Sequence, residues 1–538
     1  MGQQDNYTRK YFGYNHTITT TATHSIGKFN GRLMAGTMYQ DYEQQMWAVV
    51  GNRIVDVSRR DSNNTDPITR VRLNRNLIGE PNLSINRSAA LFYELAINYD
   101  EKIYFSYSHR WESSSVMPEK SRDFNYPGMS LSFIMTDILP FLKDNKVLDF
   151  WKLRGSLANT ARMSSPYLNQ PRFENRTSSG GGYSYGFYNN NPDLVPEIQE
   201  TFEIGTEFRL FKNLLSIDAT YYNTFCDRQI VENFRSSYGT GFVLNTLNAA
   251  STRNQGVEFV IGINPVRSKN FSWNIQLNTN RMWNEVISLP ANVPEFYISD
   301  TWLFGNTRGG LVVGGPTTSI TSTSYMRNNK GEILINPANG IPVVNAAFTV
   351  QGDRNPNFTV GMNNQFRYKN WSFNFLWDYR NGGDIYNGTD NLLTQRGRSM
   401  LTDDRKQPIV VVGVLNDGLQ NTDNPTRNNI AIIPYYQQDY YTSMPPSAFI
   451  EKNVDWLRLR DMTLSYTFGS RLLSKVKAIK SLGAFATVND LVLITNYTGA
   501  DPAVNGNTAA TRGVGAAGFD YGNVAIPVSW NFGIRASF

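Results

Sequence analysis

The final residues read Val528-Ser529-Trp530-Asn531-Phe532-Gly533-Ile534-Arg535-Ala536-Ser537-Phe538. Every even position is apolar, and every odd position is polar or glycine. Because a strand sends successive side chains to opposite faces, the segment has one fully apolar face and one wet face. From Trp530 to Phe538 it runs roughly 26 Å at ~3.3 Å per residue. At a tilt of ~40° it rises about 20 Å, near the ~25 Å apolar band of a barrel in an outer membrane. A strand packed in a soluble sandwich gives the same alternation, so the decision between core and lipid needs the rest of the chain.

The alternation recurs upstream. Phe202, Ile204, Phe208 and Leu210 interleave with Glu203, Gly205, Glu207 and Arg209; after Phe211-Lys212-Asn213, Leu215, Ile217, Ala219 and Tyr221 interleave with Ser216, Asp218 and Thr220. That is a hairpin with one apolar and one polar face. Val257 to Asn264, Phe271 to Asn278, Phe358 to Phe366 and Trp371 to Tyr379 follow the same rule, the last pair joined at Lys369-Asn370. Leu457 and Leu459 hold one parity, whereas Met462, Leu464, Tyr466 and Phe468 hold the other. A slip of one residue reverses the faces, which predicts a β-bulge near Arg460-Asp461. The pattern predicts roughly fourteen to sixteen strands and little helix beyond a turn near Pro140 to Asn145.

Short connections alternate with long ones, at about 51–87, 161–195, 290–350, 385–453 and 496–520, which carry no alternation. Short turns at one end and long loops at the other are the pattern of a membrane barrel, and structureless loops of this length are foreign to compact soluble domains. The expected fold class is therefore all-β: a transmembrane antiparallel β-barrel with long extracellular loops.

Composition agrees. The 538 residues are 40% hydrophobic and 13% aromatic, with a mean hydropathy of −0.40. A wet lumen, aromatic girdles and polar loops give that average, as would a soluble β protein with aromatic ligand platforms. The longest apolar run, Ile409 to Leu415, is far below the ~18 residues of a membrane helix. Met1-Gly2-Gln3-Gln4-Asp5 shows neither the basic nor the apolar part of a secretory signal, so an exported barrel is expected here as a mature form or a fragment. The net charge of +6 is scattered (Arg59, Arg60, Arg70, Arg72, Arg75) rather than packed in a stripe, which reads as loop and lumen charge and not as a nucleic-acid surface.

Enzyme chemistry finds no support. The three histidines, His16, His24 and His109, have no metal-ligand spacing with one another or with Cys226. The lone Cys226, placed just past a strand, gives no disulfide framework and reads as inert. There is no nucleophile elbow and no phosphate loop; Gly180-Gly181-Gly182 lacks the following Lys-Ser or Lys-Thr. Asp403-Asp404 lacks a complete calcium-loop pattern. No catalytic residue, metal ligand or cofactor is expected. Two loop clusters stand out: Tyr183, Tyr185, Phe187 and Tyr188, and Tyr435, Tyr436, Tyr440 and Tyr441. Each reads either as a platform stacking on a ligand or as packing between loops or against a partner subunit.

Several segments in order resemble the SusC/RagA class of TonB-dependent outer-membrane transporters of Bacteroidota. They are Lys152-Leu153-Arg154 with Ser156; Asn191-Pro192-Asp193-Leu194 with Glu197 and Gly205; and Asn254-Gln255-Gly256-Val257-Glu258. Asn278, Asn280, Asn284, Val286 and Leu289 follow, then Gly382-Gly383-Asp384-Ile385-Tyr386-Asn387. The last are Phe449-Ile450-Glu451, Trp456-Leu457-Arg458-Leu459-Arg460, and Asn489-Asp490-Leu491 through Thr495-Asn496-Tyr497, Gly499 and Asp501-Pro502, with departures at Asp490, Ala500 and Ala503.

The resemblance implies an outer-membrane importer component for oligosaccharides or peptides. TonB would energise it through a plug, a SusD-class lipoprotein would cap the loops, and outer-membrane lipid would surround it. Residues 1–538 are then a partial barrel domain with no plug, TonB box or signal peptide, the later strands of a barrel of about 22 strands, and the chain is expected to be a non-autonomous C-terminal fragment. Phe202, Phe259, Trp273, Phe375, Trp530 and Phe532 are expected to face lipid, and Glu203, Glu258, Asn274, Asn374, Asn531 and Arg535 the lumen. The alternative is a soluble or surface-attached aromatic-rich β protein that binds glycans.

Overall fold

The computed structural model describes all residues except 1, 55–69, 74–82, 143–144, 171–172, 176–182, 186–187, 236–243, 292, 302–306, 470–478 and 505–516. Fifteen long strands are β1 (Gly2–Ile26), β2 (Phe29–Ile54), β3 (Leu83–Tyr99), β4 (Ile103–Ser114), β5 (Asp123–Ile134), β6 (Leu148–Arg162), β7 (Glu197–Leu210) and β8 (Leu215–Arg235). They continue as β9 (Leu244–Arg267), β10 (Phe271–Ser288), β11 (Phe358–Tyr368), β12 (Trp371–Asn381), β13 (Trp456–Thr467), β14 (Ser481–Thr495) and β15 (Ser529–Ser537). With two short strands, Arg70–Leu73 and Tyr188–Asn189, they form a seventeen-stranded sheet. The chain divides into two compact units, one of residues 1–138, 153–204 and 224–251, the other of residues 139–152, 205–223 and 252–538.

In the first unit β1 pairs with β2, β2 with β3, β3 with β4 and β4 with β5, all antiparallel. Opposite faces carry opposite chemistry. Tyr93, Tyr107, His109 and Trp111 cluster on one face, the His109 ring stacked 4.1 Å from Trp111. On the other face Arg110 Nε and the Tyr126 hydroxyl donate to Glu112 Oε2 at 2.8 and 2.6 Å. Cys226 lies inside β8, buried, rather than past a strand as expected; its small side chain fits the wall there.

The second unit shows how the alternation works. Across six strands, Trp273, Phe366, Phe373, Leu464, Ala486 and Phe532 stand in one cross-strand row. One residue along, the row is Asn274, Gln365, Asn374, Thr463, Thr487 and Asn531. The register thus joins separate strands into one continuous apolar face and one continuous polar face. Cross-strand neighbours reinforce each: Trp273 stacks on Phe366 at 5.3 Å, and the Thr463 and Thr487 hydroxyls bond at 2.8 Å. On the terminal strand the apolar face is uncovered, with Trp530 61% and Phe532 75% exposed. Asn364 breaks the apolar row of Ile275, Phe375, Met462, Val488 and Trp530; it is buried, and Trp273 Nε1 donates to its Oδ1 at 3.2 Å. Phe485 breaks the polar face and lies over Gly533, where any Cβ would collide with its ring.

The expected bulge is present. Leu459 pairs with Trp377 and Asp461 with Leu376, so Arg460 has no opposite number on β12. On β14 the same two residues pair with Val492 and Asn489, leaving Asp490 and Leu491 unmatched, Asp490 with φ of +53°. Arg460 turns to the polar face and donates from Nε and Nη2 to Asp378 Oδ2 at 2.9 and 2.7 Å.

The long connections are not structureless, contrary to the expectation. Within 290–350, Phe296–Thr301, Thr307–Leu311, Ser319–Tyr325 and Val344–Asp353 build a four-stranded sheet. Helices also occur: α1 (Met135–Ile138), α2 (Gly388–Gln395) and α3 (Asp439–Thr442). Only the turn near Pro140 was anticipated, and it is the 3-10 turn Pro140–Leu142. α2 escapes sequence reading because it is two turns long; its start is marked by Asn387, whose side chain accepts from Asp390 N at 2.9 Å.

Candidate functional site

At the long-loop end of the second unit, segments far apart in sequence meet. Ile385–Asn387 pairs antiparallel with Ile450–Glu451 and parallel with Phe519–Asp520. Around this small sheet Ile320, Tyr386, Phe449, Ile450 and Phe519 form one buried cluster, and Ile385, Val454, Tyr497 and Val504 a second. The chain enters through Gly382 and Gly383 at φ of +72° and +89°, a left-handed pair that side-chain-bearing residues adopt only with strain.

Carboxylates hold the loops in place. Asp384 accepts from Asp353 N, Asn453 N and Lys452 Nζ at 2.9, 3.1 and 2.9 Å. Glu451 accepts from Asn387 Nδ2 at 2.8 Å and from Thr498 N at 2.9 Å. Asp520, 2% exposed, accepts from Thr389 Oγ1, Gly522 N, Asn523 N and the Tyr497 hydroxyl at 2.6, 3.1, 3.2 and 2.7 Å. Asp501 accepts from Ala503 N and Ile526 N at 2.9 and 3.1 Å and pairs with the fully buried Arg458, which also reaches Asp490 at 3.3 Å. Each acid is occupied by donors from other segments. The arrangement fixes loops, and it presents no free acid–base pair.

The electrostatics follow. Burial raises the Tyr497 hydroxyl far above its ordinary value, and its bond to Asp520 raises it further. Burial likewise lifts Tyr386 to about 12. For Asp501, burial pushes upward, but the Ala503 and Ile526 amides and Arg458 prevail and leave it below the ordinary carboxylate value. Burial brings Arg354 down to about 10; its Nε donates to Thr318 O and its Nη1 to Ala517 O, at 3.0 and 2.8 Å, above the Phe519 ring.

In the first unit the Asn191-Pro192-Asp193-Leu194 segment anchors the entry to β7. Leu194 is fully buried with Val116 and Met117, Asn191 Oδ1 caps Asp193 N at 2.8 Å, and Glu197 Oε2 accepts from Ile230 N at 3.2 Å.

Of the aromatic candidates, Tyr435, Tyr436, Tyr440 and Tyr441 fall in one segment. Tyr435 and Tyr436 meet edge to face at 5.2 Å, with Lys406 Nζ 5.3 Å over Tyr435, and Tyr436 is 79% exposed. Tyr440 and Tyr441, on α3, are partly buried 5.0 Å apart, and the Tyr441 hydroxyl donates to Leu401 O at 3.2 Å. Tyr183 and Tyr185 lie on a strand (Tyr183–Tyr185) paired with Phe173–Asn175, and Tyr188 pairs with Leu244. Their side chains, and all of Phe187, lie outside the described residues. Asp403 and Asp404 are both exposed. Sequence reading missed Arg354, Thr389 and the Phe519-Asp520-Tyr521 segment; an acid flanked by two aromatics inside a polar loop was the available signal.

A family model described as TonB dependent receptor-like, beta-barrel, matches residues 1–332. The chain is 24% identical to TonB-dependent receptor P3 of Formosa agariphila over 98% of this chain and 53% of that protein. It is 24% identical to TonB-dependent receptor SusC of Bacteroides thetaiotaomicron over 78% of this chain and 42% of that one. A chain of the RagAB peptide transporter superposes with a TM-score of 0.74 at 18% identity, over 100% of this chain and 56% of its own. The chain spans about half the length of the relatives it matches.

Proposed function

Because the chain belongs to the TonB dependent receptor-like β-barrel family, a family of outer-membrane barrels, we propose that it supplies barrel wall and loops to an importer of oligosaccharides or peptides. The observation that carries the reading is the pair of neighbouring rows in the second unit, apolar from Trp273 to Phe532 and polar from Asn274 to Asn531. A wall between lipid and a wet passage requires that pairing of faces. In this reading TonB energises uptake through a plug segment, and a lipoprotein of the SusD class caps the loops. RagAB is a peptide transporter, which keeps peptides beside oligosaccharides as substrate classes. Tyr435 and Tyr436 are the proposed contacts for solute or lipoprotein, since their rings are open on a loop fixed at its base.

Deletion of the gene in its native host, followed by growth on panels of oligosaccharides and of peptides, tests the proposal. Growth on one class should be lost, and removing TonB should reproduce the loss. Unchanged growth on every member of both panels refutes it.

A further inference from the structure

In the second unit the short connections make one continuous rim. Phe211 N donates to Val147 O, Asn264 N to Leu214 O, and Lys369 N to Asn270 O, each at 2.8 Å; Thr467 N donates to Asn370 O at 2.9 Å and Lys480 N to Ser537 O at 2.7 Å. Each connection sets a lysine on that rim: Lys146, Lys212, Lys269, Lys369 and Lys480, all exposed. Among the described residues of these connections, the acid beside them, Asp149, is engaged as an acceptor, its Oδ2 taking a hydrogen bond from Asn213 N at 3.0 Å. The connection between β13 and β14 adds Arg471, Lys475 and Lys477 to the sequence.

Immediately along the strands from these lysines lies an aromatic row on the apolar face. Phe271, Tyr368, Trp371 and Tyr466 are cross-strand neighbours, with Tyr368 53% and Trp371 46% exposed. Lys369 Nζ stands 5.4 Å over the Tyr368 ring. Aromatic rings with a polar tip settle at the headgroup level of a bilayer. The short turns of an outer-membrane barrel face the periplasm, so the cations beyond the rings meet the inner leaflet, whose anionic lipids are its sources of fixed negative charge at that depth.

We propose that these five lysines bind the phosphate groups of anionic phospholipids in the inner leaflet, holding the second unit's rim at a fixed depth. Compact ammonium groups on flexible stems suit such headgroups, which are mobile and need no single bonding geometry. The first unit stands apart: Lys28 and Lys102 both pair with Asp100, so the inference rests on the second unit alone. It is independent of which solute is carried.

The test uses the full-length protein in nanodiscs of phosphatidylethanolamine containing a minority of phosphatidylglycerol, with the lipids that remain bound after detergent extraction measured by mass spectrometry. Wild type should retain phosphatidylglycerol above its bulk fraction. With all five lysines changed to glutamine that enrichment should fall about tenfold or more, since one cation near an anionic surface is worth about fivefold. A five-arginine variant should keep it. Should the five-glutamine protein not fold, Lys212→Gln and Lys369→Gln singly should each lower the enrichment. Equal enrichment in the glutamine variants and wild type, or none in wild type, overturns the proposal.

Discussion

Phe532→Arg and Asn531→Arg place the same charge on adjacent residues of β15. Phe532 lies five positions from Ser537, which pairs with Ser481 at the short-turn rim. Five residues at ~3.3 Å are roughly 16 Å of strand, and a tilt of ~40° makes that about 13 Å of height, the middle of a ~25 Å apolar band. An outward arginine at the midplane costs about 2–4 kcal/mol, or about thirty- to several-hundredfold in the folded fraction. Asn531 belongs to the polar row, beside Thr487, where the new charge meets water and costs little. Ile534, three positions from Ser537, lies closer to the interface, so Ile534→Arg should fall between them. The assay is urea unfolding of the full-length barrel in phospholipid vesicles, followed by its heat-modifiable migration. Equal losses for Phe532→Arg and Asn531→Arg would refute the assignment of faces, and an Ile534→Arg penalty above that of Phe532→Arg would refute the depth.

Asp501→Leu should destabilise the loop base by about 1–3 kcal/mol, because the buried Arg458 loses one of its two carboxylate partners and keeps Asp490; Arg458→Met added to it should recover much of the loss, measured as protease resistance of the loops in a double-mutant cycle. Tyr497→Phe removes a donor from the buried Asp520 and should cost about 1–3 kcal/mol in the same assay. Tyr386 and Tyr497 titrate above the ordinary tyrosine value in the folded protein. Their stabilisation is therefore complete below pH ~10 and is lost as pH rises from there through about 12. Loop protease resistance should fall in that window, and the onset should be unchanged by Tyr436→Phe. Phe519→Ala, which empties the centre of the buried cluster, should cost about 3–5 kcal/mol in loop stability and leave membrane insertion intact.

The strands were readable because a membrane wall imposes a two-residue period with no exceptions that are free of charge: Trp273, Phe373 and Phe532 announce their face one residue at a time. The bulge was readable for the same reason, as a break in that period at Arg460. The loops obey no period. Their order comes from side chains such as Asp520 and Asp384 that accept amides brought from distant segments, and from two-residue pairings such as Tyr386 with Ile450. Beyond an acid flanked by two aromatics at Phe519-Asp520-Tyr521, neither leaves a local mark in the sequence. The motif residues Gly383, Glu451, Tyr497 and Asp501 were visible individually, but that they converge on one loop base follows only from the fold. Tyr435 and Tyr440 looked equivalent in sequence; burial separates them.

At β13 the two sides of the bulge count differently. One unmatched residue, Arg460, is an odd number and exchanges inside for outside along the strand, whereas the two unmatched residues of β14, Asp490 and Leu491, are an even number and leave Val488 and Val492 facing the same way. The strand therefore has a reading frame. Losing Arg460 alone would remove the bulge and leave strict alternation, with Leu457, Leu459, Met462, Leu464 and Tyr466 still toward lipid, because Leu459 and Asp461 already face the adjacent Trp377 and Leu376; losing any one residue after it would act on the rest of the strand as a frameshift acts on codons. Insertions and deletions in this wall are tolerable in pairs, and Arg460 is the exception, the one residue of the strand whose single loss keeps both faces.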